Sequence, residues 1–301
     1  MFNIFLNDIF YIIDGIYNYA DDNTLSRHGE NLEIVKCLLE EATVSTLNWF
    51  SDNQMQANVT KFQAMILGAN SSNGNCIFEV SGAEISPSSS VKLLGVEIDD
   101  KLSFCNHISN ICSKASRQIN ALARLSRLLD VKTKLLIFNS FIVSNFNYCP
   151  LVWHHCSKES AKRMEKIQER GLRFVYNDAS SSYADLLIKG RKNALYVERI
   201  KKIALFVYKC INQIGPSTSF DLYENMNTTY NLRDKNKLVQ PKVNTTTFGL
   251  RSLRYSGASL YNQLPNNLKE SLDLNQFKNL LKSWVGPTCK CGICVLCTMK
   301  P

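Results

Sequence analysis

The tetrapeptide Tyr19-Ala20-Asp21-Asp22 constrains this chain more than any other stretch. Two adjacent carboxylates interrupt an apolar opening, with Ile12, Ile13, Ile16 and Tyr17 before them and Thr24 and Leu25 after. Like charges side by side resist burial unless a cation meets them. Their natural place is a tight turn, open to solvent or to a divalent metal. The Ile and Tyr content of Tyr11 to Tyr19 predicts one strand, and Asn23 to Ser26 predicts the start of a second. Asp21, Asp22 and Asn23 then form the turn of a β-hairpin, because Asp and Asn tolerate the left-handed backbone that short turns need.

A chain of 301 residues with 45% hydrophobic content can bury a core and divides into about two domains. Its formal charge of +9 is uneven, with 13 Lys or Arg against 6 Asp or Glu between Ser157 and Gln213. A basic surface there suits a phosphate backbone, whose neutralisation releases counterions. A helix of mixed charge such as Lys158 to Arg173 is equally the pattern of a solvated face. The apolar start Phe2 to Ile13 is broken by Asn3, Asn7 and Asp8 and lacks a basic leader, so neither a signal peptide nor a membrane span is expected. An intracellular protein, nuclear or cytoplasmic, is expected. Cys37, Cys105, Cys112, Cys149, Cys156 and Cys210 are then expected as reduced, buried, small apolar residues. Cys289, Cys291, Cys294 and Cys297 are too compressed for the usual two separated pairs of a Zn²⁺ site, which leaves a metal knuckle and an oxidisable tail both open.

Helical periodicity dominates the remainder. Asn31 to Ser51 carries Leu32, Val35, Leu39, Ala42 and Leu47, and Asn106 to Leu129 carries a stripe from Ile108 to Leu129. Lys114, Arg117, Arg124 and Arg127 lie off that stripe and are either phosphate contacts or its wet face. Thr133 to Phe146 is apolar enough to be buried on most sides. Ser157 caps a helix running to Tyr176 with Met164, Ile167, Leu172 and Val175 inward, and another spans Leu195 to Asn212. Pro216 to Leu250 is Asn- and Thr-rich loop. Pro265 and Asp273 mark two short helices in a compact end from Ser252 to Trp284, with Leu260, Leu264, Leu268, Leu272, Phe277, Leu281 and Trp284 as its core face.

Read in order, several segments resemble one family. Phe2-Asn3-Ile4-Phe5-Leu6-Asn7-Asp8-Ile9, the hairpin through Leu25, the helix after it, Asn58-Val59-Thr60-Lys61 leading into an apolar strand Phe62 to Leu67, and Val91 to Asp99 with Leu102, Phe104, His107 and Ile108 resemble the palm of reverse transcriptases from non-LTR (LINE-type) retrotransposons. Asn147-Tyr148-Cys149-Pro150-Leu151-Val152-Trp153 is similar to a stretch that follows their thumb. The resemblance implies an α+β fold: a partial polymerase palm over residues 1–104, with the hairpin, a helix and antiparallel strands, the hairpin bordered by the strand of Lys61. A mainly α-helical thumb and basic region over 105–215 and a C-terminal extension over 216–301 follow. It implies Asp21 as a Mg²⁺ ligand with Asp22 beside it, Lys61 near the leaving pyrophosphate, and Lys114, Arg117, Arg124 and Arg127 along the backbone of an RNA template and DNA primer. Two-metal phosphoryl transfer explains these types, since hard Mg²⁺ prefers carboxylate oxygen. The family places fingers and a further metal-binding Asp before such a segment, and neither Asp8 nor Asp14 is placed to replace it. A C-terminal fragment, inactive alone, is therefore expected. A non-catalytic RNA- or DNA-binding module is the alternative, ahead of a helical interaction scaffold.

Overall fold

A computed structural model describes residues 6–68, 76–125, 128–226 and 237–287. The fold is mixed α+β, mostly helical, with three small antiparallel sheets of two strands each. The chain divides into two compact units, Met1–Leu102 and Ser103–Pro301.

In the first unit, Leu6, Ile9 and Ile13 are spaced at helical rather than strand period, and all three are buried. That spacing corrects the expected strand from Tyr11: a turn of 3₁₀ helix at Leu6–Asp8 runs into α1 (Ile9–Ile12), and β1 begins only at Ile16. β1 (Ile16–Tyr19) pairs with β2 (Asp22–Leu25) in the register Ile16↔Leu25 to Tyr19↔Asp22. α2 (Leu32–Asp52) starts where the Asn31 side chain accepts from the Glu33 and Ile34 amides. It buries Ala42, Trp49 and Phe50 in one cluster with Leu6, Ile9, Ile13 and Ile16, against which Leu25 and Ala57 also pack. β3 (Phe78–Val80) with β4 (Ala83–Ile85), and β5 (Ser90–Leu93) with β6 (Val96–Asp99), complete the unit as two hairpins. The Glu79 amide donates to Glu40 Oε1 at 2.7 Å, tying β3 to α2.

The second unit is helical. α3 (Cys105–Arg124) buries His107, Ile108, Cys112, Ala115, Ile119 and Leu122 and stops five residues before the expected Leu129. Leu125 is exposed there. α4 (Val131–Ile137) passes through a π-helical turn, Phe138–Val143, into α5 (Ser144–Asn147). Asn145 Nδ2 donates to the Phe141 and Ile142 carbonyls and to Gln118 Oε1 on α3, meeting acceptors that the wider turn frees. Only one face of this segment is buried, through Lys134, Phe138, Ile142 and Phe146 at four-residue intervals. Leu136 and Phe141 are exposed, which corrects the expectation of burial on most sides.

α6 (Lys158–Tyr176) begins at Ser157, whose hydroxyl accepts from the Ser160 amide at 3.1 Å. It packs against α3, against α7 (Tyr183–Lys189) and against α8 (Leu195–Ile211). α9 (Leu253–Asn262), α10 (Asn266–Lys269) and α11 (Leu274–Ser283) close over α8, where Ile200, Ile203, Val207 and Tyr208 share one core with Leu260, Leu264, Leu268 and Phe277. Leu272 is 91% exposed, contrary to its expected place in that core, because it lies in the link just before the Asp273 cap of α11.

Candidate nucleic-acid interface

The β1–β2 turn is two residues long, Ala20 and Asp21, so Asp22 and Asn23 belong to the second strand rather than to the turn as expected. The left-handed backbone falls on Ala20, at φ 54°. Short hairpins normally fill that first turn position with glycine, and an L-residue there is strained by about 1–2 kcal/mol. At the other end of the ribbon, the Ser26 amide donates to the Gly15 carbonyl, and Arg27 Nη1 donates to the Asp14 and Ser26 carbonyls at 2.6 and 2.9 Å. Gly15, at φ +63°, has no room for a Cβ against the Ser26 carbonyl.

Register divides the side chains. Ile16, Asn18, Asn23 and Leu25 share one face of the ribbon, and Tyr17, Tyr19, Asp22 and Thr24 share the other. Tyr17 and Tyr19 are 61% and 68% exposed, and both aspartates stand in solvent. The carboxylates are adjacent and accessible at a fixed apex. Among the described residues, no three His, Cys, Asp or Glu side chains converge on a metal position. Mg²⁺ takes near-octahedral oxygen coordination, commonly one or two carboxylates with water and substrate phosphate oxygens as the rest.

Lys61 is exposed at the end of a single 3₁₀ turn, Val59–Lys61, capped by Asn58 Oδ1 accepting from the Thr60 amide at 3.1 Å. The segment Phe62 to Leu67 does not form the expected strand and does not border the β1–β2 ribbon. It makes one parallel bridge, Ala64 with Pro87, closed by the Ser88 amide on the Ala64 carbonyl at 2.8 Å.

The basic surface lies on α3 and α6. α3 carries Lys114, Arg117 and Arg124 and no Asp or Glu in its 20 residues, so no alternation of charge neutralises it. All three cations are exposed, and among the described residues none is in a salt bridge. On α6, Lys158, Lys162, Lys166 and Arg170 recur every four residues and form one exposed row. Two arginines of α6, Arg163 beside that row and Arg170 in it, tie α6 to α3: Arg163 Nη1 donates to Ser109 Oγ at 3.2 Å, and Arg170 Nη2 donates to Asn120 Oδ1. By helical phase, Ser109 and Asn120 lie on the flank of α3 between its α6 contact and the outward Arg117 and Arg124. The cations therefore run continuously from one helix onto the other. Glu169, paired with Arg173 at 2.7 Å, and Glu159 are the acids on the exposed face of α6. Arg127 lies outside the described residues, as do Cys289, Cys291, Cys294, Cys297 and the run Met1 to Phe5.

Behind this surface sits a polar core that the sequence did not announce. Glu165, 8% exposed, accepts from the Leu195 and Tyr196 amides at 3.1 and 2.7 Å and from the Tyr183 hydroxyl. It thereby caps α8, whose N-cap Ala194 has no side-chain acceptor of its own. Burial, followed by the Glu165 charge, pushes the Tyr183 hydroxyl far above its ordinary value. Ala194 before a strongly periodic helix was the one signal that a tertiary cap had to exist. Trp153 is fully buried and its Nε1 donates to the Tyr148 carbonyl at 3.0 Å, so it is a core residue. Cys112, Cys156 and Cys210 are buried free thiols, whereas Cys37, Cys105 and Cys149 are exposed, against expectation, at a helix surface, a helix start and a loop. Burial raises the Cys112 thiol to about 11.

No protein-family model, curated protein or solved structure matches this chain. Among the described residues no helix is long and apolar enough to cross a membrane.

Proposed function

We propose that this chain is the late-palm and thumb portion of an RNA-directed DNA polymerase of the non-LTR retrotransposon type. The observation that carries this reading is the ribbon apex: Tyr19, a strained Ala20 and two solvent-facing aspartates, on a hairpin whose base is anchored against α2. Asp21 is the residue that would meet a Mg²⁺ shared with a nucleotide, and Asp22 is its neighbour. Lys61, exposed on the Val59–Lys61 turn, would be the residue near the leaving pyrophosphate in this reading.

With two carboxylates in place of a full ligand set, the chain alone holds Mg²⁺ weakly and does not extend a primer. Its own activity is to bind the RNA template and DNA primer through α3 and α6. A second reading, a non-catalytic nucleic-acid-binding module, is favoured by the acid-free face of α3 and shares this surface.

The test is a primer-extension and binding assay of the purified chain on a labelled RNA–DNA primer-template. Binding that is equal with Mg²⁺ and with EDTA, and equal in Asp21→Asn, together with no extension, is the expected result. Extension abolished by Asp21→Ala would reveal a complete enzyme, and absence of binding would end the nucleic-acid reading.

A further inference from the structure

The segment Tyr148 to Cys156 plugs the second unit with two histidines. His154 is 2% exposed, its ring lies 6.0 Å from Tyr196 on α8 and 4.9 Å edge-on from His155, and neither of its ring nitrogens has a hydrogen-bond partner. His155 Nε2 pairs with Ser256 Oγ on α9 at 2.9 Å, while its Nδ1 is buried without a partner. The same space already holds a permanent cation. Arg199 is 3% exposed, lies over the Trp153 and Tyr196 rings at 5.5 and 5.9 Å, and has an unpartnered Nε. The charged and titratable groups around the pair and its plug are Arg199 and Tyr196 from α8, Arg251 from the approach to α9, Cys156 from the plug itself, His107 from α3, whose ring lies 6.3 Å from that of Trp153, and Glu165 from α6, which acts on Arg199. Glu165 already serves Tyr183 and two backbone amides. The groups that act on the two rings are His155, Arg199 and Arg251, and no carboxylate is among them.

We propose that the second unit carries an acid-operated latch, in which protonation of the His154–His155 pair expels the Tyr148–Cys156 plug and loosens α8 from α9. The proposal is independent of which nucleic acid the chain binds. An imidazole in an unfolded chain titrates near 6.5. In the folded unit, burial first, then His155 and Arg199, hold His154 well below that value, and burial with Arg251 takes His155 down to about 4. The depressed folded values mean that stability is complete above the unfolded pKa and is lost as pH falls from there toward the folded ones. Two protons taken up on opening raise the opening constant by up to about a hundredfold per pH unit in that window.

Urea unfolding of the full chain tests this in a Trp49→Phe background, so that Trp153 and Trp284 fluorescence reports the second unit. The unfolding constant is expected to rise at least tenfold between about pH 6.5 and 5.5. His154→Phe, which keeps a ring against Tyr196, and His155→Gln each cut that dependence by about half. If His154→Phe does not fold, the parent and His155→Gln profiles decide. A parent profile flat between those pH values, or one that the folded variants leave unchanged, overturns the latch.

Discussion

Asn120 on α3 accepts a hydrogen bond from Arg170 on α6, and this bond makes two separate basic helices into one surface. Charge reversal on either side of it, with Arg117→Glu and Lys166→Glu together, removes two exposed cations that no described carboxylate pairs. Affinity for an RNA–DNA duplex is expected to fall, and the salt slope of log K to shrink by about 2, or about 1 for each phosphate left unneutralised. Both side chains are exposed, so urea stability should move by less than about 0.5 kcal/mol each. Titration of binding at several salt concentrations, with CD to confirm folding, checks both halves.

Glu165 supplies the cap that α8 lacks, and its loss strands the Leu195 and Tyr196 amides in the interior, while the Tyr183 hydroxyl keeps Gln168 Oε1 at 2.6 Å. Glu165→Ala is expected to destabilise the second unit by about 2–4 kcal/mol, as unpaired buried donors do. Urea denaturation measures it, and a loss under about 1 kcal/mol would show that water reaches those donors.

Gly171 on α6 faces the Phe138 ring in the π-helical turn so closely that an added Cβ would overlap it. Gly171→Ala should cost about 1–3 kcal/mol by overpacking. Adding Phe138→Leu should recover part of that, a coupling that a double-mutant cycle reads directly.

Ala20 holds a backbone that glycine adopts freely. Ala20→Gly is expected to stabilise the first unit by about 0.5–1 kcal/mol, the relieved strain exceeding the extra chain entropy of glycine. Thermal unfolding of the variant gives the sign.

Legibility in the sequence followed the reach of the forces involved. The ribbon and α2, α6 and α8 were readable because local chemistry places them: the Asp pair, the Asn31 and Ser157 caps, and apolar residues at helical period. Where the same composition serves two periods, local chemistry failed. Tyr11 to Ile13 read as strand formers by type, yet Ile9–Ile12 is a helix that buries Ile9 beside Leu6 and Ile13, and Phe62 to Leu67 had the right residues but makes one bridge, Ala64 with Pro87. The buried polar core was invisible for a different reason. Glu165 lies between Met164 and Lys166 among the charges of an amphipathic helix, and its partners are the amides at the start of α8, 30 residues later. The basic face was half visible: Lys114, Arg117 and Arg124 could be named, but their continuity with Lys162, Lys166 and Arg170 depends on α3 and α6 packing side by side.

Fluorescence anisotropy of the purified chain with a labelled RNA–DNA primer-template, across about 50 to 200 mM salt in EDTA, tests the central claim most directly. With at least four phosphates neutralised across α3 and α6, log K should fall against log salt with a slope of about −3.5 or steeper. A slope near zero, or no binding at the lowest salt, would contradict it.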